Sequence, residues 1–228
     1  MIINLQNICI DYIGLKDAIK DISFSVSNSE FLVLCGIIGS GKTTILRTIC
    51  GLEKINTGGI KFNNTTAKDI FFSNGLGFFY NNKSICKNLS YGLKFRKIRK
   101  DDILKEITAA QEFFDINLCL SKKVKQLTNT EKFILSLLRA YMRKAKIMLF
   151  DEPFLGLNKD EKTKCVHMLK QLTQELNCAT ILATSDFDDC KLLNENTAIL
   201  KHGQILQLAS LDEITINPAN EFIKQFCK

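Results

Sequence analysis

Glu30-Phe-Leu-Val-Leu-Cys35-Gly36-Ile37-Ile38-Gly39-Ser40-Gly41-Lys42-Thr43-Thr44 is the stretch that decides the fold. Its first six residues form an apolar run of strand length, consistent with a buried strand. Gly36 to Thr43 then match G-x-x-x-x-G-K-[ST], and a helix is predicted from about Gly41 to Cys50. The chemistry follows from that setting. Glycines let the backbone turn tightly and aim its N–H groups at phosphate oxygens, and the helix N-terminus adds partial positive charge. Lys42 would reach the β- and γ-phosphates, and the Thr43 hydroxyl would ligate Mg2+. A Gly-rich turn followed by a chance Lys-Thr leaves the flanking strand and helix unexplained.

A second stretch supports the first. The predicted strand Ile147-Met-Leu-Phe150 ends in Asp151-Glu152. An Asp at that edge holds Mg2+ through its hydration shell, and the adjacent Glu can polarise an attacking water. A strand ending in Asp-Glu is common, so its weight comes from the pairing with Gly36–Thr43.

Composition narrows the class. The chain has 228 residues, 46% hydrophobic and 24% charged, which excludes a disordered chain, a collagen-like repeat and a long coiled coil. No stretch approaches the roughly 18 to 20 apolar residues that span a bilayer. The start Met-Ile-Ile-Asn-Leu-Gln lacks the layout of a secretory signal, so a cytosolic chain is expected. Nine cysteines occur without a CxxC pair, and His167 and His202 follow no zinc-site spacing, so reduced, mostly buried thiols are expected. The net charge of +7 alone does not choose among phosphates, a membrane-protein partner and nucleic acid.

Along the chain, Ile22-Ser-Phe-Ser-Val26 alternates as a strand, Gly58-Gly59 marks a turn before a short strand, and Gly75 to Tyr80 reads as another. From about Lys87 to Met142 the pattern is helical. Asp101-Asp102 can cap a helix on which Ile103, Leu104, Ile107 and Phe114 recur. A second helix runs from about Asn129 to Arg143, with Phe133, Leu137 and Ala140 on one side. The basic run Phe95 to Lys100 reads as a solvated face. Then come a helix from about Lys159 to Leu176, a strand over Ala179–Ala183 and a helix from about Phe187. A hairpin of Thr197–Leu200 and Ile205–Leu208 turns through His202-Gly203. The pattern is an α/β nucleotide-binding core with an inserted helical lobe.

With these residues in hand, the chain resembles the nucleotide-binding domain of ABC transporters over essentially its whole length. The resemblance rests on Tyr12 in Ile-Asp-Tyr-Ile-Gly, on Ala18-Ile-Lys-Asp-Ile-Ser-Phe-Ser-Val26 and on Lys42 to Glu53. Leu138-Arg139-Ala140 and Asp151-Glu-Pro-Phe154 add to it. Asn88 to Lys97, Lys125-Gln-Leu127 and Asp212 to Phe222 are similar to the importers of sugars, polyamines and quaternary amines.

The resemblance implies an α/β P-loop NTPase (RecA-like) core with an antiparallel β subdomain over 1–86 and 144–228. A helical subdomain over 87–143 would carry the signature loop, and no regulatory domain is expected after Lys228. It further implies ATP held by Tyr12, stacked on adenine, and by Gly36, Ile37, Ile38, Gly39, Ser40, Gly41, Lys42, Thr43 and Thr44. Mg2+ would sit on Thr43, Asp151 and Asn81, with Glu152 and Lys42 in the catalytic roles.

Several positions depart from the family's pattern. Its signature Leu-Ser-Gly-Gly-Gln stands here as Leu127-Thr128-Asn129-Thr130-Glu131, which adds Cβ atoms where close approach is needed and a negative charge near the site. Ser185 stands for the switch histidine and cannot carry its charge. Asn81 stands for the Q-loop glutamine, and Asn158 for the D-loop aspartate. The expected function is an ATP-hydrolysing subunit of an importer, with reduced turnover. Its expected partners are transmembrane permease subunits, a solute-binding protein and a second ABC ATPase subunit. That second subunit is a heterodimeric partner by preference, since a homodimer would place Ser185 and the altered loop at both sites. The expected location is the inner face of the cell membrane. The alternative is a catalytically weak nucleotide-binding regulatory subunit. A chromosome- or ribosome-associated protein, and with it nucleic acid, is disfavoured because no coiled-coil heptads lie between Lys42 and Asp151.

Overall fold

The computed structural model describes residues 1–12, 14–95 and 98–227. The chain opens with β1 (Ile3–Tyr12) and β2 (Leu15–Val26), which pair antiparallel. After β3 (Phe31–Cys35) and α1 (Lys42–Ile49), β4 (Thr57–Phe62) returns to β1 and completes a three-stranded sheet in the order β2-β1-β4. The remaining strands are β5 (Ile70–Asn74), β6 (Ile147–Asp151), β7 (Ala179–Thr184), β8 (Asn196–Lys201) and β9 (Gln204–Ala209). They form a second sheet in the order β5-β6-β7-β3-β8-β9, parallel up to β8 and closed by the antiparallel β8-β9 hairpin.

Alternation along the central strands explains their unbroken apolar sequences. Phe31, Val33 and Cys35 of β3, with Met148 and Phe150 of β6, face one hydrophobic cluster; Leu32, Leu34, Ile147 and Leu149 face the other. Successive side chains point to opposite faces, so a sheet covered on both sides needs apolar residues at every position. Ile45, Leu46 and Ile49 of α1 belong to the second cluster, and this packing fixes α1 behind the Gly36–Gly41 loop.

α2 (Ile85–Phe95), α3 (Lys100–Phe113) and α4 (Asn129–Arg143) pack on one another between β5 and β6. α5 (Lys159–Glu175), α6 (Phe187–Leu193), α7 (Leu211–Ile216) and α8 (Glu221–Phe226) follow. Phe113 stacks on Tyr141 at 4.9 Å between centroids, joining α3 to α4. Among the described residues, no helix is long and apolar enough to cross a membrane.

Four expectations need correction. The strand placed at Gly75–Tyr80 is instead β5, five residues earlier, because Ile70 to Asn74 pair with Ile147 to Asp151. Beyond Asn74 the chain turns, with Gly77 N–H donating to Asn74 O at 3.0 Å. Gly58-Gly59 lies inside β4 rather than in a turn before it; a Cβ on Gly58 would collide with the carbonyls of Gln6 and Asn7, so glycine permits the close pairing with β1. The N-cap of α3 is Arg99, and Asp101 and Asp102 occupy its first turn, where carboxylates still favour the positive helix end. Leu104 is exposed, and Ala110 joins Ile103 and Ile107 on the buried face. The basic run's Arg96 and Lys97 lie outside the described residues.

Candidate functional site

The loop after β3 starts under tight constraint. Gly36 N–H donates to Thr184 O at 3.3 Å, hooking the loop to the end of β7. A Cβ on Gly36 would collide with the Leu200 carbonyl and lie 2.8 Å from Ser40 Oγ, so any other residue would displace the loop. Ser40 N–H donates to Ile37 O at 3.1 Å, and the buried Ser40 Oγ has no hydrogen-bond partner among the described residues. Ile38 projects outward, and the exposed Gly39 turns the loop with φ 81°. α1 has no acidic residue in its first turn and no side-chain cap on Gly41, so its first N–H groups are not claimed by a carboxylate. Such an end attracts anions.

Lys42 opens α1 and is only 5% exposed. Its Nζ donates to Gly36 O at 2.6 Å and Ile37 O at 3.2 Å, and lies 3.8 Å from Glu152 Oε1. Thr43 Oγ1 donates to Asp151 Oδ2 at 2.8 Å, bringing the two sequence motifs into contact. Tyr12 is partly exposed at the end of β1, and its hydroxyl donates to Thr44 Oγ1 at 3.4 Å.

Asp151 ends β6, 3% exposed, with Oδ1 lacking a hydrogen-bond partner among the described residues. Burial pushes its carboxyl above the usual range, and the Thr43 hydroxyl and Lys42 offset this in part. Glu152 follows with φ 49°, a left-handed conformation uncommon for a non-glycine residue and concentrated at functional sites. Its N–H donates to Ala183 O at 2.8 Å, which holds the carboxylate at the mouth beside Lys42. The pairing of a buried, half-satisfied carboxylate with a hydroxyl fits a hard divalent cation, which takes oxygen ligands.

The departing residues are placed less uniformly. Ser185 is half-buried after β7, and its hydroxyl makes no hydrogen bond among the described residues. Asn81 is exposed after the β5 turn; its C=O accepts from Lys125 N–H at 3.0 Å, and nothing described joins its side chain to Thr43 or Asp151. Asn158 is the N-cap of α5, accepting from Glu161 N–H at 3.0 Å while its own N–H donates to Glu161 Oε2 at 2.9 Å.

The altered loop is ordered by a similar box. Leu127 is buried, and Thr128 caps α4, accepting from Glu131 N–H at 3.1 Å while its N–H donates to Glu131 Oε2 at 2.7 Å. The charge expected to face a nucleotide is thus turned back on its own helix and paired with Lys122 Nζ at 3.1 Å. Partial burial pushes the Glu131 carboxyl up, but Thr128 and Lys122 together outweigh it and hold it below the usual range. Thr130 Oγ1 donates to Glu161 Oε1 at 2.8 Å, and Asn129 lies against Gly156. Lys122 and Glu161 escaped the sequence reading. The spacings Thr128-x-x-Glu131 and Asn158-x-x-Glu161 announce both caps, but nothing local predicts the partners across elements.

Between β5, α2 and α4 lies a cleft of about 720 Å³ lined by Phe71, Phe72, Phe78, Tyr80, Tyr91 and Arg139. Phe78 is 77% exposed, and Tyr80 packs on Tyr91 at 5.0 Å. Arg139 is held over Phe79 at 4.3 Å and donates to Phe78 O at 2.6 Å, so it braces the cleft floor.

A family model described as ABC transporter matches residues 19–155. The chain is 30% identical over 233 residues to the sn-glycerol-3-phosphate import ATP-binding protein UgpC of Psychromonas ingrahamii, covering 98% of this chain and 62% of that protein. To the protein of the same name from Bartonella quintana it is 31% identical over 235 residues, covering 99% and 67%. The chain thus spans somewhat under two thirds of the first of these relatives. In three dimensions it is similar to cbiO1 from Clostridium perfringens, part of the ABC transporter complex cbiONQ. That match has TM-score 0.86 and 21% identity, covering 96% of this chain and 92% of the other. It is also similar to an ATP binding subunit of an ABC transporter at TM-score 0.79 and 17% identity, covering 95% and 92%.

Proposed function

The chain belongs to the ABC transporter family, and on that premise we propose that it binds and hydrolyses Mg-ATP at a dimer interface to drive a separate permease, as an importer subunit. One observation carries this reading. Asp151 is buried with one carboxylate oxygen unpaired among the described residues and the other accepting from the Thr43 hydroxyl, directly beside the loop that leads into Lys42.

Each residue then has a task. The N–H groups of Gly36 to Thr43 and the start of α1 hold the phosphates, and Tyr12 offers its ring to the adenine. Lys42 leaves the carbonyls of Gly36 and Ile37 for the β- and γ-phosphates. Thr43 and Asp151 would hold Mg2+, with Asn81 as a further ligand once the turn after β5 closes. When bound, that ion offsets phosphate charge. Glu152, held at the mouth beside Lys42, takes the proton of the attacking water. Most of the catalysis is positioning and charge stabilisation.

The dimer is head to tail, with each ATP between one subunit's 36–43 loop and the other's 127–131 loop. A heterodimer would give this chain's nucleotide an unaltered loop and a faster site. The permease docks in the aromatic cleft: exposed Phe78 and Tyr80 beside Phe71 and Phe72 suit the apolar face of a cytoplasmic helix. That contact would place the chain at the membrane's inner face. The relatives' names support import, with the cargo bound by other subunits.

Two substitutions test the reading. Lys42→Ala should abolish binding of a fluorescent ATP analogue, whereas Glu152→Gln should keep binding and stop phosphate release. Undiminished affinity in Lys42→Ala refutes the site. Transport that persists in Glu152→Gln favours the regulatory alternative.

A further inference from the structure

We propose that Glu161 is a positioning residue that ties the altered 127–131 loop to the 155–158 loop, so that both meet the opposite subunit's nucleotide as one body. This rests on the dimeric ATPase reading above. One carboxylate serves both loops: Oε1 accepts from the Thr130 hydroxyl at 2.8 Å, and Oε2 accepts from Asn158 N–H at 2.9 Å. Asn158 Oδ1 accepts in return from Glu161 N–H at 3.0 Å. A second contact lies alongside, since a Cβ on Gly156 would come 3.1 Å from Asn129 Nδ2. Glu161 and Thr130 are both partly buried, which shields the bond from competing water.

The link depends on the departures themselves. Thr130 stands at a position where the family string has glycine, which has no side chain to donate to Glu161. Asn129 stands at the other glycine and rests on Gly156. A loop held at both edges before the subunits meet has less freedom to lose on closure. Side-chain bonds here replace what flexible glycines achieve by close main-chain approach. The link touches neither the Gly36–Thr43 loop nor Tyr12, so it leaves the affinity of this chain's own nucleotide site alone and acts on closure over the opposite subunit's nucleotide.

Thr130→Val removes the hydroxyl and keeps the branched shape; Thr130→Ser keeps the hydroxyl. In the chain assembled with its partner subunits, Thr130→Val should lower kcat about tenfold at unchanged KM, and Thr130→Ser should restore it. Glu161→Ala combined with Thr130→Val should be no worse than Glu161→Ala alone. Wild-type kcat in Thr130→Val, equal damage in the valine and serine variants, or multiplicative losses would each overturn the proposal. Amide hydrogen exchange separates it from the reading beneath it. Thr130→Val should speed exchange at both 128–131 and 156–158, and unchanged exchange sinks the link. Accelerated exchange in Thr130→Val, alongside a wild-type assembly that hydrolyses no ATP, would sink the ATPase reading and leave the link standing.

Discussion

Asp151→Asn should make the empty protein more stable and the Mg-ATP complex less so. The buried Asp151 Oδ1 has no partner among the described residues, and an unsatisfied buried polar atom costs about 1–3 kcal/mol, more when charged. Asparagine keeps an oxygen for the Thr43 hydroxyl and removes the charge, although its amide nitrogen inherits the unpaired position. The net gain is about 1 kcal/mol, within the usual range for relieving a strained functional site. That raises Tm by about 2–4 °C for a chain of this size. Ligand reverses the order. At a hundredfold excess over Kd, binding stabilises the wild type by about 2.7 kcal/mol, and most of this vanishes when a cation ligand is lost. Scanning calorimetry at pH 7, with and without Mg-ATP, checks both halves. The sign with pH is fixed too. Burial raises the Asp151 pKa in the fold, so the wild type loses stability as pH rises through that value. The variant's advantage should therefore shrink on acidification. An empty variant less stable than wild type, or equal stabilisation of both by Mg-ATP, refutes the reasoning.

Two further outcomes are expected. Glu131→Gln keeps the capping geometry but loses Lys122, costing about 0.5 kcal/mol after allowance for solvent screening of a partly exposed pair. Because the folded Glu131 pKa is lowered, that contribution is present at neutral pH and is lost as pH falls through it, so urea midpoints of the two proteins should converge in acid. Iodoacetamide near neutral pH should label Cys119 first, since that thiol is exposed and the Ser121 hydroxyl lowers its pKa. Burial pushes Cys165 up to about 12 and Cys178 up to about 11, so both should label only on unfolding. Peptide mapping by mass spectrometry reads the order, and early labelling of Cys165 would contradict the buried core.

The central elements were legible because burial on both faces and helical spacing leave local marks. Phe31–Cys35, Ile147–Asp151 and Asn129–Arg143 all declare themselves in this way. β5 was misplaced because Gly75 and the aromatics after it imitate a strand, whereas pairing with β6 decides the true one. In the site, the contact between Thr43 and Asp151 followed from the two motifs together. The neutralisation of Glu131 did not, because Lys122 comes from a neighbouring turn and its approach depends on tertiary packing. Nor did the bond from Thr130 to Glu161, which joins two helix starts distant in sequence.

The contacts of Lys42 bear on the heat of nucleotide binding. Its ammonium already rests on two main-chain oxygens, Gly36 O and Ile37 O. An arriving triphosphate therefore exchanges one set of oxygens for another rather than capturing a hydrated cation. The enthalpy gained at this contact is only the difference between the two sets.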